Sequence, residues 1–336
     1  MTSSHADPLD DALLIHLANQ AAARYPFCQQ ARISLVTRSE NATFLVETAV
    51  QRYALRIHRP DYHELVDIES ELGWLEALQR DTDIPVPYPL EDCDGGRVLT
   101  LDVPGGGHRH AVLFYWLEGE TPTACLDPLS FRQLGELTAR LHQHSRNWLL
   151  PKRFRRITWN HTTMVGPEGR WGNWRDIPGL SSADIHLIAQ AVQQAGLELS
   201  VYGMAAERYG LIHSDLRLAN LIMHPSGTQI IDFDDCGFGW FMHDLAAAIS
   251  FEEHHPAAPT WAQNWLDGYA RVASLSAEDH AILPALFVQR RVQLTAWAGS
   301  HMQTDMVRSL GADWLEHTVR LCRRYLDGKS WPIGAG

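Results

Sequence analysis

The stretch LIHSDLRLANLIMHPSGTQIIDFDD, residues 211–235, decides the fold. Two short apolar runs, Leu221–Met223 and Gln229–Ile231, flank His224-Pro225-Ser226-Gly227-Thr228. That insert suits a turn, because proline fixes φ, glycine accepts left-handed backbone, and serine hydroxyls bond to nearby backbone. A β-hairpin is therefore expected. It would bring Asn220 and Asp232 side by side at one end, with Asp215 on the adjoining loop. Two carboxylates and an amide oxygen then share one spot. Magnesium accepts oxygen from one or two protein groups and takes the rest from water and phosphate. A separate carboxylate can orient a hydroxyl and accept its proton. Phosphoryl transfer needs both parts. Singly, an Asp or Asn on a turn is a capping residue; the reading rests on three of them converging through one hairpin. The rival metal arrangement is an iron facial triad from His213 and Asp215 with His243 or His301. It leaves Asn220 and Asp232 without a role, and such enzymes sit mostly on all-β scaffolds. His213 is read as structural, holding the loop.

Upstream, RISLVT, ATFLVET and RYALRIH between Arg32 and His58 read as three strands. Leu65, Ile68, Leu72, Leu75 and Leu78 then recur at steps of three and four, one face of a helix from Tyr62 to Arg80. Ile84-Pro85-Val86-Pro87 ends it. Arg97–Asp102 and His110–Leu117 read as two more strands joined by Gly105-Gly106-Gly107. Beyond residue 117 the chain reads as helical: Phe131–His144, Ala183–Arg208, and three helices between Trp261 and Leu326. The expected fold class is α+β, with residues 1–117 a small antiparallel-sheet lobe (1–30 an N-terminal extension or helix) and 118–336 a larger helical lobe. A ligand is expected between them.

The 336 residues are 45% hydrophobic and 20% charged, a globular composition. The net charge of −12 repels phosphate backbones, so nucleic acid is not an expected partner. No apolar run reaches membrane-span length and no membrane partner is expected. Five scattered cysteines without a CxxC pair suggest neither a disulfide framework nor structural zinc. With no signal-peptide pattern at the start, the expected location is cytoplasmic. Of the 28 basic residues only Lys152 and Lys329 are lysine.

H-x-D-x-x-x-x-N followed by I-D-F-D resembles the catalytic and metal-binding segments of the aminoglycoside phosphotransferase and choline kinase superfamily, relatives of the protein kinases. The order of parts fits from about residue 30 to 325. The resemblance implies a two-lobed protein-kinase-like fold using ATP and Mg2+. It makes Asp215 the catalytic base, puts Arg217 near the transferred phosphate, and gives the metal to Asn220 and Asp232. The corresponding aspartate of the family braces the catalytic loop, here Asp244, which also opens LAAAI as a helix N-cap. Where the family carries a lysine on an N-lobe strand, this chain has Arg56, with Arg52 and Arg59 as competitors. Its partner glutamate is expected at Glu71, with Glu69 and Glu64 as fallbacks. The turn Ser39-Glu40-Asn41-Ala42-Thr43 would cover the phosphates, Ser39 and Asn41 among its contacts, without a glycine-rich signature. LFYWLEG, Leu113–Gly119, resembles the hinge that pairs with adenine; the Trp116 side chain is expected in the core.

The resemblance implies a small-molecule hydroxyl as the expected acceptor: an amino alcohol, a hydroxy amino acid or an aminoglycoside. IDFDD and IPVPYP look nearest to the homoserine-kinase-like and stress-response branches, which makes a protein serine or threonine the alternative acceptor. A pseudokinase is a third reading, motivated by the missing lysine. The tryptophans of 145–180 (Trp148, Trp159, Trp171, Trp174) are expected beside the acceptor site, either as a cation-binding box or as packing. Asp234 and Asp235 are assigned either to a cationic acceptor or to the metal network.

Overall fold

The computed structural model describes residues 9–38, 40–122, 128–225, 227–311 and 313–329. Helix α1, Asp11–Ala23, precedes β1 (Arg32–Arg38), β2 (Ala42–Glu47) and β3 (Arg52–Ile57). Helix α2 (Leu65–Asp81) is followed by β4 (Leu99–Asp102) and β5 (His108–Tyr115). The five strands form one antiparallel sheet in the order β1-β2-β3-β5-β4. Side chains alternate across a strand. Tyr53, Leu55 and Ile57 of β3 and Ala111 and Leu113 of β5 therefore pack under Leu14, Leu17 and Ala21 of α1. On the opposite face Ala54, Val112 and Phe114 meet Ile68, Leu72 and Leu75 of α2. Arg56 lies on that same face, and this alternation alone aims it at α2.

Helix α2 begins at Leu65, three residues later than the Tyr62 expected from periodicity. Asp61 sits in the left-handed region at φ 59° and so stops any earlier turn. The Asp67 carboxylate accepts the Glu64 N–H at 2.9 Å, which fixes the start. Gly105, Gly106 and Gly107 all take positive φ in the β4–β5 turn, which only glycine does without strain.

The remainder is mostly helical: α3 (Pro128–Asn147), α4 (His161–Val165), α5 (Ser182–Tyr202), α6 (His243–Ala248), α7 (Ala258–Tyr269), α8 (Ala277–Ala281), α9 (Leu283–Ser300), α10 (Asp305–Ser309) and α11 (Trp314–Leu326). Among the described residues five helices thus follow residue 257, not three, because Ser276 and Thr304 each cap a further short one. Helix α5 stops before the expected Arg208, where Gly203 turns left-handed at φ 78°. A small sheet, β6 (Ile157–Thr158), β10 (Gly237–Trp240) and β7 (Tyr209–Ile212), and the hairpin β8 (Leu221–His224) and β9 (Gly227–Ile230) lie among the helices. The hairpin loop is tighter than expected, since His224 pairs with Gly227 and Met223 with Thr228. Helices α3 and α7 approach through two glycines: a Cβ on Gly135 would lie 2.0 Å from the Trp265 carbonyl oxygen, and one on Gly268 2.0 Å from that of Arg132. Among the described residues no helix is long and apolar enough to cross a membrane.

Candidate active site

Strand β7 delivers His213-Ser214-Asp215 to the cleft. Ser214 is held at φ 73°, left-handed for a non-glycine residue, and costs about 1 kcal/mol or more. Buried Asp244 over-determines that turn: its carboxylate accepts Ser214 N–H at 2.8 Å and His213 N–H at 3.2 Å. The His142 Nε2–H donates to the same carboxylate at 3.0 Å, and the Tyr269 hydroxyl to His142 Nδ1 at 3.0 Å. Asp244 therefore braces the loop, but it sits inside the first turn of α6 and is not its N-cap; Met242 is. His213 is fully buried and its Nε2–H donates to Ile231 O at 3.0 Å, tying the loop to the hairpin. Among the described residues the ligand atoms of His213 and Asp215 do not converge with those of His243 or His301 closely enough to hold one metal ion, so the facial triad is not formed.

At the open end of the hairpin Leu221 pairs with Ile230, and Ile231 N–H donates to Asn220 O at 3.0 Å. Asn220 is thus beside Ile231, one residue from Asp232. Asp232 takes φ 64° and turns the chain there. Asn220 Nδ2 donates to the Asp215 carbonyl at 2.8 Å and to its Oδ2 at 3.0 Å. Arg217 Nε lies 3.3 Å from the same Oδ2. Burial pushes the Asp215 carboxyl up, but Arg217, Arg290 and His213 outweigh it and hold it below the ordinary range. Asp232 goes the other way, pushed up to about 7 by burial and by Asp234 and Asp215. A carboxylate crowded by two others with too little positive charge nearby fits a site built for a divalent cation.

Above the hairpin, one nitrogen of Arg56, Nη2, donates to both Glu71 oxygens at 2.8 Å. Arg56 Nε is buried with no partner. A buried guanidinium donor left without a partner fits a phosphate oxygen. The competitors are engaged elsewhere: Arg52 pairs with Glu118, and Arg59 with Glu40. Glu64 caps α2 and is no partner of Arg56. The Asn41 oxygen accepts Arg59 N–H at 3.0 Å, so its side chain holds the turn. Ser39 lies outside the described residues. Trp116 lies past the end of β5, half-exposed, with the Arg52 guanidinium 5.8 Å from its ring centroid; it is not the core residue expected.

The two carboxylates after Asp232 part company. Asp234 points into the small lobe, 3.6 Å from His58 Nδ1 and from His63 Nε2. Asp235 accepts the Tyr62 hydroxyl, whose oxygen in turn accepts Trp171 Nε1–H at 3.1 Å. Trp159 and Trp174 are wholly buried packing, so no box of four tryptophans exists. Trp171 alone of the four reaches the acceptor side.

Sequence reasoning missed the residues that close this side. From Asp215 one arm runs through Arg290 (2.5 Å) to the Trp171 ring (5.0 Å from the guanidinium) and on to Tyr62. The other runs through Arg217 to Phe251 (5.7 Å), to Trp297 (5.6 Å between centroids), whose Nε1–H donates to Glu40 at 2.8 Å. Arg59 joins the arms, paired with Glu40 and 3.4 Å above the Tyr62 ring. Only Arg290-Arg291, two arginines inside an apolar helix, left a trace in the sequence. A cavity of about 1160 Å3 lies on the far side of Tyr62, lined by Arg109, Arg155 and Arg170 among others. It contains neither Asp215 nor Asp232, so the chemistry belongs to the cleft.

The Phosphotransferase enzyme family model, APH, matches residues 33–281. The structure of a microcompartment-associated aminopropanol kinase superposes with a TM-score of 0.88 at 39% identity, covering 95% of this chain and 100% of that one. The amicoumacin kinase of Bacillus subtilis is 23% identical over 242 residues, 71% of this chain and 68% of its own. The homoserine kinase of Bradyrhizobium diazoefficiens is 25% identical over 256 residues, 74% of this chain and 72% of its own. The matched span runs from the five-stranded sheet through the cleft to α8, and the kinase structure follows nearly the whole chain. The chain therefore belongs to the phosphotransferase enzyme family and has its protein-kinase-like fold.

Proposed function

We propose that this phosphotransferase moves the γ-phosphoryl group of Mg-ATP to the hydroxyl of a small amino alcohol. The observation that carries the reading is the Asn220 amide. Its nitrogen is committed to Asp215, which leaves its oxygen for a cation beside Asp232. In this reading Asn220 and Asp232 hold magnesium, which would neutralise phosphate oxygens. Arg56, steadied by Glu71, takes a nucleotide phosphate through its free Nε, and Arg217 stands near the transferred group. The small lobe, residues 1–117, binds the nucleotide, and the helical lobe, 118–336, carries the metal and acceptor sites.

Asp215 orients the acceptor hydroxyl and receives its proton as the oxygen attacks phosphorus. The bond from the γ-phosphorus to the bridging oxygen breaks, and ADP leaves with the electron pair. An ammonium group on the acceptor suits the arms beyond Asp215, where Asp235 and Glu40 stand among Tyr62, Trp171 and Trp297. The 39%-identical aminopropanol kinase supports this class of acceptor. The protein-acceptor alternative gains nothing from relatives named for small molecules.

The test is ADP release from Mg-ATP across amino alcohols, hydroxy amino acids, sugars and aminoglycosides, with Asp215→Ala as the blank. Acceptor-dependent release with an amino alcohol is expected. Nucleotide binding without turnover of any acceptor sinks the catalytic reading, and labelling of protein serine instead sinks the acceptor.

A further inference from the structure

We infer that Arg290 is a positioning residue that selects Oδ1 of Asp215, on the α9 side, as the oxygen that receives the acceptor hydroxyl. This rests on the phosphotransferase reading above. Each carboxylate oxygen offers about two lone-pair directions. On Oδ2 both are taken, by Asn220 Nδ2 at 3.0 Å and Arg217 Nε at 3.3 Å. Oδ1 has one donor, Arg290 Nη2 at 2.5 Å, and one direction open.

Arg290 has no freedom to release it. Its side chain is fully buried; Nε donates to Ser250 Oγ at 2.9 Å and Nη1 to Gln293 Oε1 at 3.2 Å. Neighbouring Arg291 shows what a purely structural arginine looks like on this helix. It is satisfied inside the core by buried Glu253 at 2.5 Å, Thr318 Oγ1 at 2.8 Å and Trp314 O at 2.8 Å. The charge partner of Arg290 is instead the carboxylate that faces the cleft. A buried guanidinium without its counter-ion costs several kcal/mol, so the pair keeps one Asp215 oxygen fixed on the α9 side. In the transfer the acceptor O–H hydrogen-bonds to Oδ1 and its oxygen forms the new O–P bond. ADP departs with the bridging oxygen, and the proton ends on Oδ1. The acceptor skeleton then lies along Trp171 and α9, away from Arg217.

Two measurements test this. In a crystal of the wild-type protein with AMP-PNP, Mg2+ and 1-amino-2-propanol, the acceptor oxygen is expected within about 3 Å of Oδ1; the same distance to Oδ2 overturns the inference. In steady-state kinetics Arg290→Gln is expected to lower kcat about 100-fold while KM for Mg-ATP moves less than about twofold, with Arg290→Lys between. Millimolar guanidinium should restore part of the lost kcat to Arg290→Ala. A folded Arg290→Gln protein with wild-type kcat overturns the inference, and if these variants do not fold the wild-type crystal decides. Absence of acceptor-dependent turnover in the wild type refutes the phosphotransferase reading, and turnover that Asp215→Ala leaves intact refutes Asp215 as the base; turnover lost in Asp215→Ala but kept in Arg290→Gln refutes only the role of Arg290.

Discussion

Arg56 reaches Glu71 through one nitrogen only: Nη2 stands 2.8 Å from each carboxylate oxygen, while Nε is buried without a partner. A lysine carries its three donors on one nitrogen, so it cannot hold Glu71 and offer a separate second nitrogen as arginine does. Arg56→Lys should therefore fold normally and raise KM for Mg-ATP, by about tenfold if one charge-assisted hydrogen bond is lost. Arg56→Ala should do more, because it also strands a buried Glu71 carboxylate, which costs about 3–5 kcal/mol. Adding Glu71→Gln to Arg56→Ala should recover most of that stability and none of the nucleotide affinity. Thermal unfolding and initial rates check both. If only Arg52→Ala or Arg59→Ala weakens nucleotide use, the strand register is misassigned.

Asp232→Asn should abolish metal-dependent turnover while stabilising the metal-free protein at neutral pH. The Asp232 pKa is raised to about 7 in the fold against the ordinary 3.8. A carboxyl with a raised folded-state pKa binds more protons folded than unfolded, so stability falls as pH climbs from about 4 through 7. Asp232 is open to the cleft and water screens it, so the effect is about 1 kcal/mol. In the wild type Mg-nucleotide should raise Tm more at pH 8 than at pH 6. In Asp232→Asn that pH-dependent difference should vanish, and near-normal activity would mean the metal site is misplaced.

What was legible and what was not divides by sequence separation. Asp215, Asn220 and Asp232 span only 18 positions and meet through one hairpin whose turn chemistry is local. Arg56 was legible because strand alternation aims it at α2. Arg290 lies 75 residues beyond Asp215, and its contact depends on how α9 packs against α6 and the loop before it. No periodicity encodes that. The Tyr62–Asp235 contact, 173 residues apart, is of the same kind. The misread helix starts came from local backbone, such as left-handed Asp61, whose identity gave no warning.

Buried neutral histidines set the acid limit of the fold. Burial depresses both His63 and His243 to about 3, against an ordinary 6.5. A group with a depressed folded-state pKa contributes its full stability above 6.5 and loses it as pH falls toward 3. At pH 5 each should have lost about 2 kcal/mol. Urea unfolding should show ΔG falling steeply from pH 7 to 5, and less steeply in His243→Gln. Equal slopes in the two proteins would show that His243 titrates normally.

Gly135→Ala should destabilise the helical lobe and leave kcat unchanged at low temperature. The added methyl group would sit 2.0 Å from the Trp265 carbonyl oxygen and 3.0 Å from Tyr269 N, so α7 must move away from α3. Neither neighbour is the end of a flexible side chain; both are backbone. Gly135 is inside a helix, where alanine would otherwise gain about 1 kcal/mol of propensity. Overpacking of about 3 kcal/mol outweighs that gain. Because Tyr269 also supports His142, which supports Asp244, separation of α3 from α7 should loosen the Asp215 loop at elevated temperature. The check is a lowered Tm with kcat unchanged at 15 °C but falling below wild type well before global unfolding; a Tm equal to or above wild type would show that the two helices are not in the contact described.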